Sequence, residues 1–512
     1  MKNKSSRNNF FSRLEITIEH KLQHLGLLTG FVLTCIVGPL LIVADYIFLP
    51  SNYTDIYLQL VGIANTFLAI IIGILLTTYS VVFVVMQLAS SQFSPRILRY
   101  FLYNDLKTQQ FIGLFIGTIG LIILPQVIVA FTGDKDFIIT ISVTILFAFY
   151  CLLIGFPKMI TYLSDNMNVT TITNRIKYEV VTEINDLYQD NWNPGDQLMF
   201  TRTGGKKSHK SVTVVSEHES GYLESVDHEE LIKLYNEIRI KNPELTFEGL
   251  YVMPIVGSFI LKDTTVLLKI ILNEELIDEM ANKLKAEFNW LVEKSFKINR
   301  YRSYTQDINF GVRKLVDIAI KAISPAVNDP TTCLNCIDQL GEIIRVLSIK
   351  KFPSTKSSAL YHQNIHINEF NFDEFLDFCF DQIHQWGKYD PIVVKRLILT
   401  IKHVLPYVQN PYHLMRMLRQ IEDMELNRIY VVLGETRLTK EQIRKVLAEA
   451  DHFYQTAIEQ IDQLEKLGVL HLYENPGASV QDLPSLMTSE ELTVVNYLRE
   501  FKSRHEKATD IC

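Results

Sequence analysis

The stretch IYLQLVGIANTFLAIIIGILLTTYSVVFVVMQLASSQFSP, residues 56–95, runs for 40 residues without an Asp, Glu, Lys or Arg. As one helix it would extend about 60 Å, twice the roughly 30 Å hydrocarbon core of a bilayer, so part of it must project beyond the membrane. Working outward, residues 25–44, 108–133 and 137–157 are also free of charge and dominated by Leu, Ile, Val and Phe. Each is long enough to cross a membrane as a helix. Past Lys158 no such run recurs; residues 249–261 give only 13, interrupted by Pro254 and Gly257, which suits a buried strand or loop. Of the chain's 50 basic and 57 acidic residues, nine and seven lie in residues 1–157, leaving 41 and 50 for the other 355. The sequence therefore reads as an α-helical integral membrane protein, with four transmembrane helices followed by a soluble α+β region.

Orientation follows from the basic residues near the span ends, because cytoplasmic loops are enriched in Lys and Arg. One side collects Lys2, Lys4, Arg7, Arg13 and Lys21, then Arg96, Arg99 and Lys107, then Lys158, Arg175 and Lys177; the other has only Lys135. The expectation is a multi-pass membrane protein with both termini in the cytoplasm. Its first span has too long a leader and too long an apolar run for a signal peptide and reads as a retained anchor. None of the six cysteines falls in an expected external loop, so no disulfide framework is implied. The acidic balance of the soluble part argues against nucleic acid as a partner. A local basic cluster of Arg202, Lys206, Lys207 and Lys210 reads as a solvated loop or a lipid-headgroup contact.

Within residues 56–95 the small and polar side chains are ordered. Thr66, Gly73, Ser80, Gln87 and Ser94 fall seven apart, with Ala69, Thr77 and Ser91 on neighbouring positions. Seven residues is nearly two helical turns, so these positions share a face. Two readings stay open: a close-packing seam between helices, or a water-touching face in a homo-oligomer. Gly113 and Gly117 make a second small-residue pair, read as a helix contact, and Pro125 and Pro157 are expected to kink or end their helices. No ionisable residue lies in the body of a span, Asp45 near one boundary excepted, so a carboxylate proton relay in the bilayer is not expected.

The soluble part divides by pattern. Ile172, Ile176, Val180 and Ile184 mark a helix over 170–190; alternating and β-rich stretches between 212 and 272 mark a small β-rich subdomain interrupted by a helix near 227–238. Helical periodicity returns at 274–297 and 310–323. Asn328 or Asp329, with Pro330, starts the next helix. Thr439 with Gln442 and Thr488 with Glu491 give later start signals. The expected organisation is a cytoplasmic N-terminal segment (1–23), a four-helix membrane region (24–163), a linker helix with the β-rich subdomain (164–300), a helical body (301–470) and a loosely tied tail (471–512).

Chemistry is sparse. Arg313, Asp317 and Lys321 stand four apart on a helix and read as an ion-pair ladder; the alternative is convergence of Asp307, Arg313, Asp317 and Asp329 on a ligand or ion. Cys333 and Cys336 form a CxxC pair without a second one, and His362 and His366 lack the Glu of a zinc hydrolase motif. There is no phosphate-binding glycine loop, nucleophile elbow or kinase signature, so the reading is non-enzymatic and without a cofactor.

Two segments carry a resemblance: Gln87-Leu88-Ala89-Ser90-Ser91-Gln92-Phe93-Ser94-Pro95-Arg96, and Gln306-Asp307, Phe310-Gly311-Val312-Arg313, Leu315-Val316-Asp317-Ile318-Ala319 and Ala322-Ile323-Ser324-Pro325, followed by Asn328-Asp329-Pro330. In this order after four spans, the chain resembles the bacterial membrane-protein family catalogued as domain of unknown function 2254, over roughly residues 10–460. The resemblance implies a four-span region and a cytoplasmic body, and no established activity. Members tend to carry a Pro-Gly-Asp turn in the β-rich part, where this chain reads Met253-Pro254-Ile255-Val256-Gly257-Ser258. The two segments also suggest a membrane–cytosol joint built from Gln92, Pro95, Arg96, Asp307, Arg313, Asp317, Asn328 and Asp329. The leading functional expectation is an oligomeric channel-like or transport-related protein regulated by its cytoplasmic region. The alternative is a membrane-tethered sensor or scaffold that binds a cytoplasmic partner, small ligand or ion.

Overall fold

The computed structural model describes residues 36–48, 54–92, 106–132, 138–166, 168–188, 190–193, 210–217, 219–273, 277–352, 364–434, 440–467 and 489–509. Two compact units meet at residue 172.

The first unit is a helical bundle: α1 (Gly38–Phe48), α2 (Thr54–Gln92), α3 (Leu106–Thr132), α4 (Ile138–Tyr150) and α5 (Phe156–Asn166). Among the described residues, three stretches are long and apolar enough to cross a membrane: Leu58–Val81, Gln110–Phe131 and Ile139–Tyr162. The first expected span, 25–44, falls largely on residues outside the description. α2 is one uninterrupted helix of 39 residues, about 58 Å long, as its charge-free run requires. It packs on α3 and α4 through Ala64, Ile71 and Thr78, also seven apart, against a core that includes Phe115, Ile122, Ile141 and Ala148. Gly113 and Gly117 are buried, as a helix contact requires.

Neither proline ends its helix. Pro125 lies inside α3, which continues to Thr132. Pro157 does not end the last span either: a π-helical turn, Cys151–Gly155, joins α4 to α5, and Phe156 N–H donates to the Cys151 carbonyl five residues back. The wider turn absorbs the bond that Pro157, lacking an N–H, would leave unmade.

The second unit begins within α6 (Val169–Leu187), whose Ile172, Ile176, Val180 and Ile184 are buried at the expected spacing. Next come β1 (Lys210–Val215), β2 (Gly221–Val226), α7 (His228–Lys241), β3 (Phe247–Val252), β4 (Phe259–Ile260), β5 (Val266–Leu272), α8 (Asp278–Ser295) and β6 (Phe296–Asn299). Then follow α9 (Ile308–Ala322), α10 (Pro330–Ile349), β7 (Ile365–Ile367), α11 (Phe372–Gly387), α12 (Pro391–Val404), α13 (Pro411–Gly434), α14 (Lys440–Lys466) and α15 (Ser489–Thr509). The strands form a four-stranded sheet in the order β1-β5-β3-β7 and a three-stranded sheet in the order β4-β2-β6. α7 and α8 close the β core with Leu231, Leu234, Tyr235, Leu284, Phe288 and Leu291. β7 comes from the stretch read as helical body and pairs in parallel with β3, Leu250 opposite Ile365. The two parts of the α+β unit are thus stitched by one sheet.

The tail departs from expectation. Instead of hanging loosely, α15 buries Val494, Val495, Leu498 and Phe501 against α13 and α14. Tyr497 donates to Glu422 (2.6 Å), and Lys502 reaches both Asp462 (2.6 Å) and Glu465 (2.9 Å).

Candidate functional site

The signature around residue 306 folds into a knot of buried polar groups. Asp307 accepts the Phe310 N–H and so starts α9, while Arg302 grips the same carboxylate with two nitrogens at 2.8–3.0 Å. Gly257, φ +88°, lies against that pair; a Cβ there would collide with the Asp307 carboxylate and the Arg302 guanidinium. Only glycine tolerates both the backbone angle and the approach. Gln306 is itself left-handed (φ +55°) and is held by three bonds. Its side-chain amide donates to the Val226 carbonyl (3.1 Å) and accepts the Val226 N–H (2.9 Å), and its own N–H donates to Glu183 of α6 (2.6 Å).

Burial pushes the Glu183 carboxyl up to about 7; the Gln306 N–H opposes this, and Asp186 and Asp307 add to it. Burial also raises Asp307, with Arg302 drawing it back. Seven residues along from Asp307, Lys314 is 4% exposed; its ammonium donates to the Tyr304 hydroxyl (2.9 Å) and sits 4.2 Å from the ring centres of both Tyr304 and Phe310. Gly311 lets α6 approach α9, since a Cβ would strike Val180 and press on Tyr304.

Beside this knot lies a cleft with about 70 Å³ of room. The end of α6 (Leu187, Tyr188), the start of α7 (His228), the β3–β4 turn (Ile255, Val256), the start of α9 (Gln306–Asn309), Phe352 and the β7–α11 loop (Ile367–Phe370) line it. Burial lowers His228, and burial together with Glu369 and Glu183 holds Tyr188 well above the usual phenol range.

The remaining site residues of the second unit have structural partners. Arg313 pairs with Asp317 (2.8 Å) and donates to Gln382 of α11 (2.8 Å), which is the ion pair expected of their spacing. Asp307 and Asp317 are ten residues apart on one helix line, about 15 Å, too far to share an ion. Asn328, φ +49°, turns the chain after α9, and Asp329 caps α10 by accepting the Thr332 N–H and hydroxyl. The Ser-Pro…Asn-Asp-Pro signature is therefore the stop of one helix and the start of the next. Cys333 and Cys336 are buried in the α10 core, where burial pushes the Cys333 thiol up to about 12 and holds the Cys336 thiol well above its usual range, which favours the neutral thiol at both. His366 stacks on Tyr251 at 4.5 Å; His362 lies outside the described residues.

In the membrane unit, Thr66, Gly73, Ser80 and Gln87 are all exposed, on the side of α2 away from Ala64, Ile71 and Thr78. A Cβ on Gly62 or Gly73 would meet nothing within 4 Å. The hydroxyls of Thr66, Thr77 and Ser80 donate to carbonyls one turn back at 2.8–3.0 Å. Asn65, beside this face, accepts from Gln126 of α3 (2.9 Å). Ser94, Pro95 and Arg96 lie outside the described residues, and Gln92 is the last residue of α2. Sequence reading missed Gly257, Lys314, Glu183 and Asn309; a buried-lysine position among apolar neighbours was the one available signal.

Uncharacterized proteins from Mycobacterium bovis and from two strains of Mycobacterium tuberculosis are 25% identical to this chain over 372 residues. The match covers 68% of this chain, and the chain spans 65% of the length of those curated relatives. No solved structure matches. The family described as "Predicted membrane protein (DUF2254)" matches residues 26–403, which includes the apolar helices and the α9–α10 signature, and the chain belongs to that family.

Proposed function

We propose that the chain is a channel-like, non-enzymatic protein of the bacterial cytoplasmic membrane. In this reading it crosses four times, with both termini inside, and works as a homo-oligomer. The observation that carries this is the two-sidedness of α2. One heptad row, Ala64, Ile71 and Thr78, is buried in its own bundle, while the row of Thr66, Gly73, Ser80 and Gln87 faces outward with no helix of the described chain against it. Hydrocarbon is a poor solvent for a glutamine amide and a run of small polar groups, which favours a second copy or water beside that row. The soluble unit, with its acidic balance, then acts as the regulatory part and not as a nucleic-acid binder.

A second reading, a membrane-tethered sensor or scaffold, has its own support. The stripe hydroxyls are already satisfied by carbonyls of the same helix, so the row can lie dry against another helix. Purified protein in sealed liposomes separates the two. Ion or small-solute flux that changes with Ser80→Lys or Gly73→Leu supports the path, whereas tight liposomes with altered assembly alone support the scaffold.

A further inference from the structure

The cleft beside Asp307 has an electrostatic character that points to a ligand class. Its lining holds the carboxyl groups of Asp307 and Glu369, and Glu183 bonds to the lining residue Gln306. No Lys or Arg lines it, and the Arg302 guanidinium that reaches its Asp307 is committed to that carboxylate. Asn309 lines it too, is 4% exposed, and its Oδ1 is buried with no hydrogen-bond partner. A buried acceptor left unsatisfied costs about 1–3 kcal/mol, so a donor brought by a ligand has a ready place. Much of the remaining wall is apolar or aromatic, with Ile255, Val256, Ile308, Tyr188, Phe352 and Phe370, and its polar remainder includes Asn368 and His228, whose imidazole burial disfavours charging. Aromatic faces and carboxylates together attract cations, and apolar walls attract a hydrocarbon body. The room, about 70 Å³, exceeds the roughly 10–15 Å³ that a single water occupies on a comparable measure.

We propose that this cleft binds a small organic ammonium ion, its N–H groups donating to Asn309 Oδ1 and the neighbouring carboxylates while its apolar body packs against Val256 and the aromatic walls. The upward displacement of Glu183 and Tyr188 by burial and by neighbouring carboxylates is what a site short of positive charge produces. The site lies wholly within the soluble unit, so the proposal does not depend on whether the membrane unit conducts.

The test is isothermal titration of the full chain in detergent with benzylammonium chloride, with benzyl alcohol as the neutral isostere. Saturable one-to-one binding of the ammonium, at least tenfold tighter than the alcohol, is expected. Asn309→Ala should weaken it by roughly tenfold or more, the loss of a hydrogen bond to a charged group. Val256→Phe, which fills the cleft from its wall, should abolish binding, while Asp317→Asn, on the ion pair with Arg313, should leave it unchanged. Circular dichroism of each variant confirms folding, and if Asn309→Ala does not fold, Val256→Phe decides alone. Absence of benzylammonium binding, equal binding of the alcohol, or binding indifferent to Val256→Phe would overturn the proposal.

Discussion

Glu183 is the residue whose behaviour is most specific to this fold. Its carboxyl titrates near 7 in the folded chain against 4.5 ordinarily, chiefly through burial, with Asp186 and Asp307 adding to the shift. A carboxyl that takes its proton more readily when folded stabilises the fold fully below the unfolded value, and that contribution is lost as pH rises through about 7. Glu183→Gln keeps an acceptor for the Gln306 N–H and removes the titration. The wild-type-minus-variant difference in urea stability should therefore shift by on the order of 2 kcal/mol in favour of wild type between about pH 7.5 and about pH 5. A difference that stays flat across that window contradicts the assignment. The difference is the readout because His413, lowered to about 4 by burial, works in the opposite direction. Gly311→Ala should cost about 1–3 kcal/mol by overpacking against Val180 and Tyr304, read as a lower urea midpoint. At this scale the caps were legible: Asp329 with Pro330 is a local pattern that announces itself. Gly257 and Glu183 were not, because their roles are set by Asp307 and Gln306, 50 and 123 residues away in the chain.

Among the elements, α15 gives the clearest prediction. Phe501 is fully buried against its neighbours and stacks near Tyr454 and Tyr497, so Phe501→Ala should remove about 3–5 kcal/mol of packing. Limited proteolysis should then cut within residues 489–509 while the rest of the second unit resists; an unchanged pattern would contradict the docking of the helix. The helices of the soluble unit followed their apolar periodicity closely, α6 and α9 to within a few residues. The short strands β6 and β7 did not, since four and three residues carry too little pattern and owe their conformation to β2 and β3. The tail was misjudged for a related reason. Pro476, Gly477 and Pro484 precede α15 and say nothing about what the helix itself buries. The π-helical turn before Pro157 was likewise invisible, because the proline marks a missing donor and not how the backbone accommodates it.

For the whole molecule, charge placement alone marked the division between apolar helices and an α+β unit. The same placement left open what covers the outer row of α2, because a heptad of small residues suits a neighbour, water or lipid equally. The central claim is that this row touches water in the assembled protein. The direct measurement is labelling of Gly73→Cys and Ser80→Cys, in a background with Cys35 and Cys512 replaced by serine, using a charged membrane-impermeant thiol reagent on sealed liposomes. The account predicts modification at both positions and none at Ile72→Cys, which is exposed on α2 about 100° around the helix from Gly73. Both row positions remaining unmodified, with equal reaction only after the protein is denatured, would contradict it.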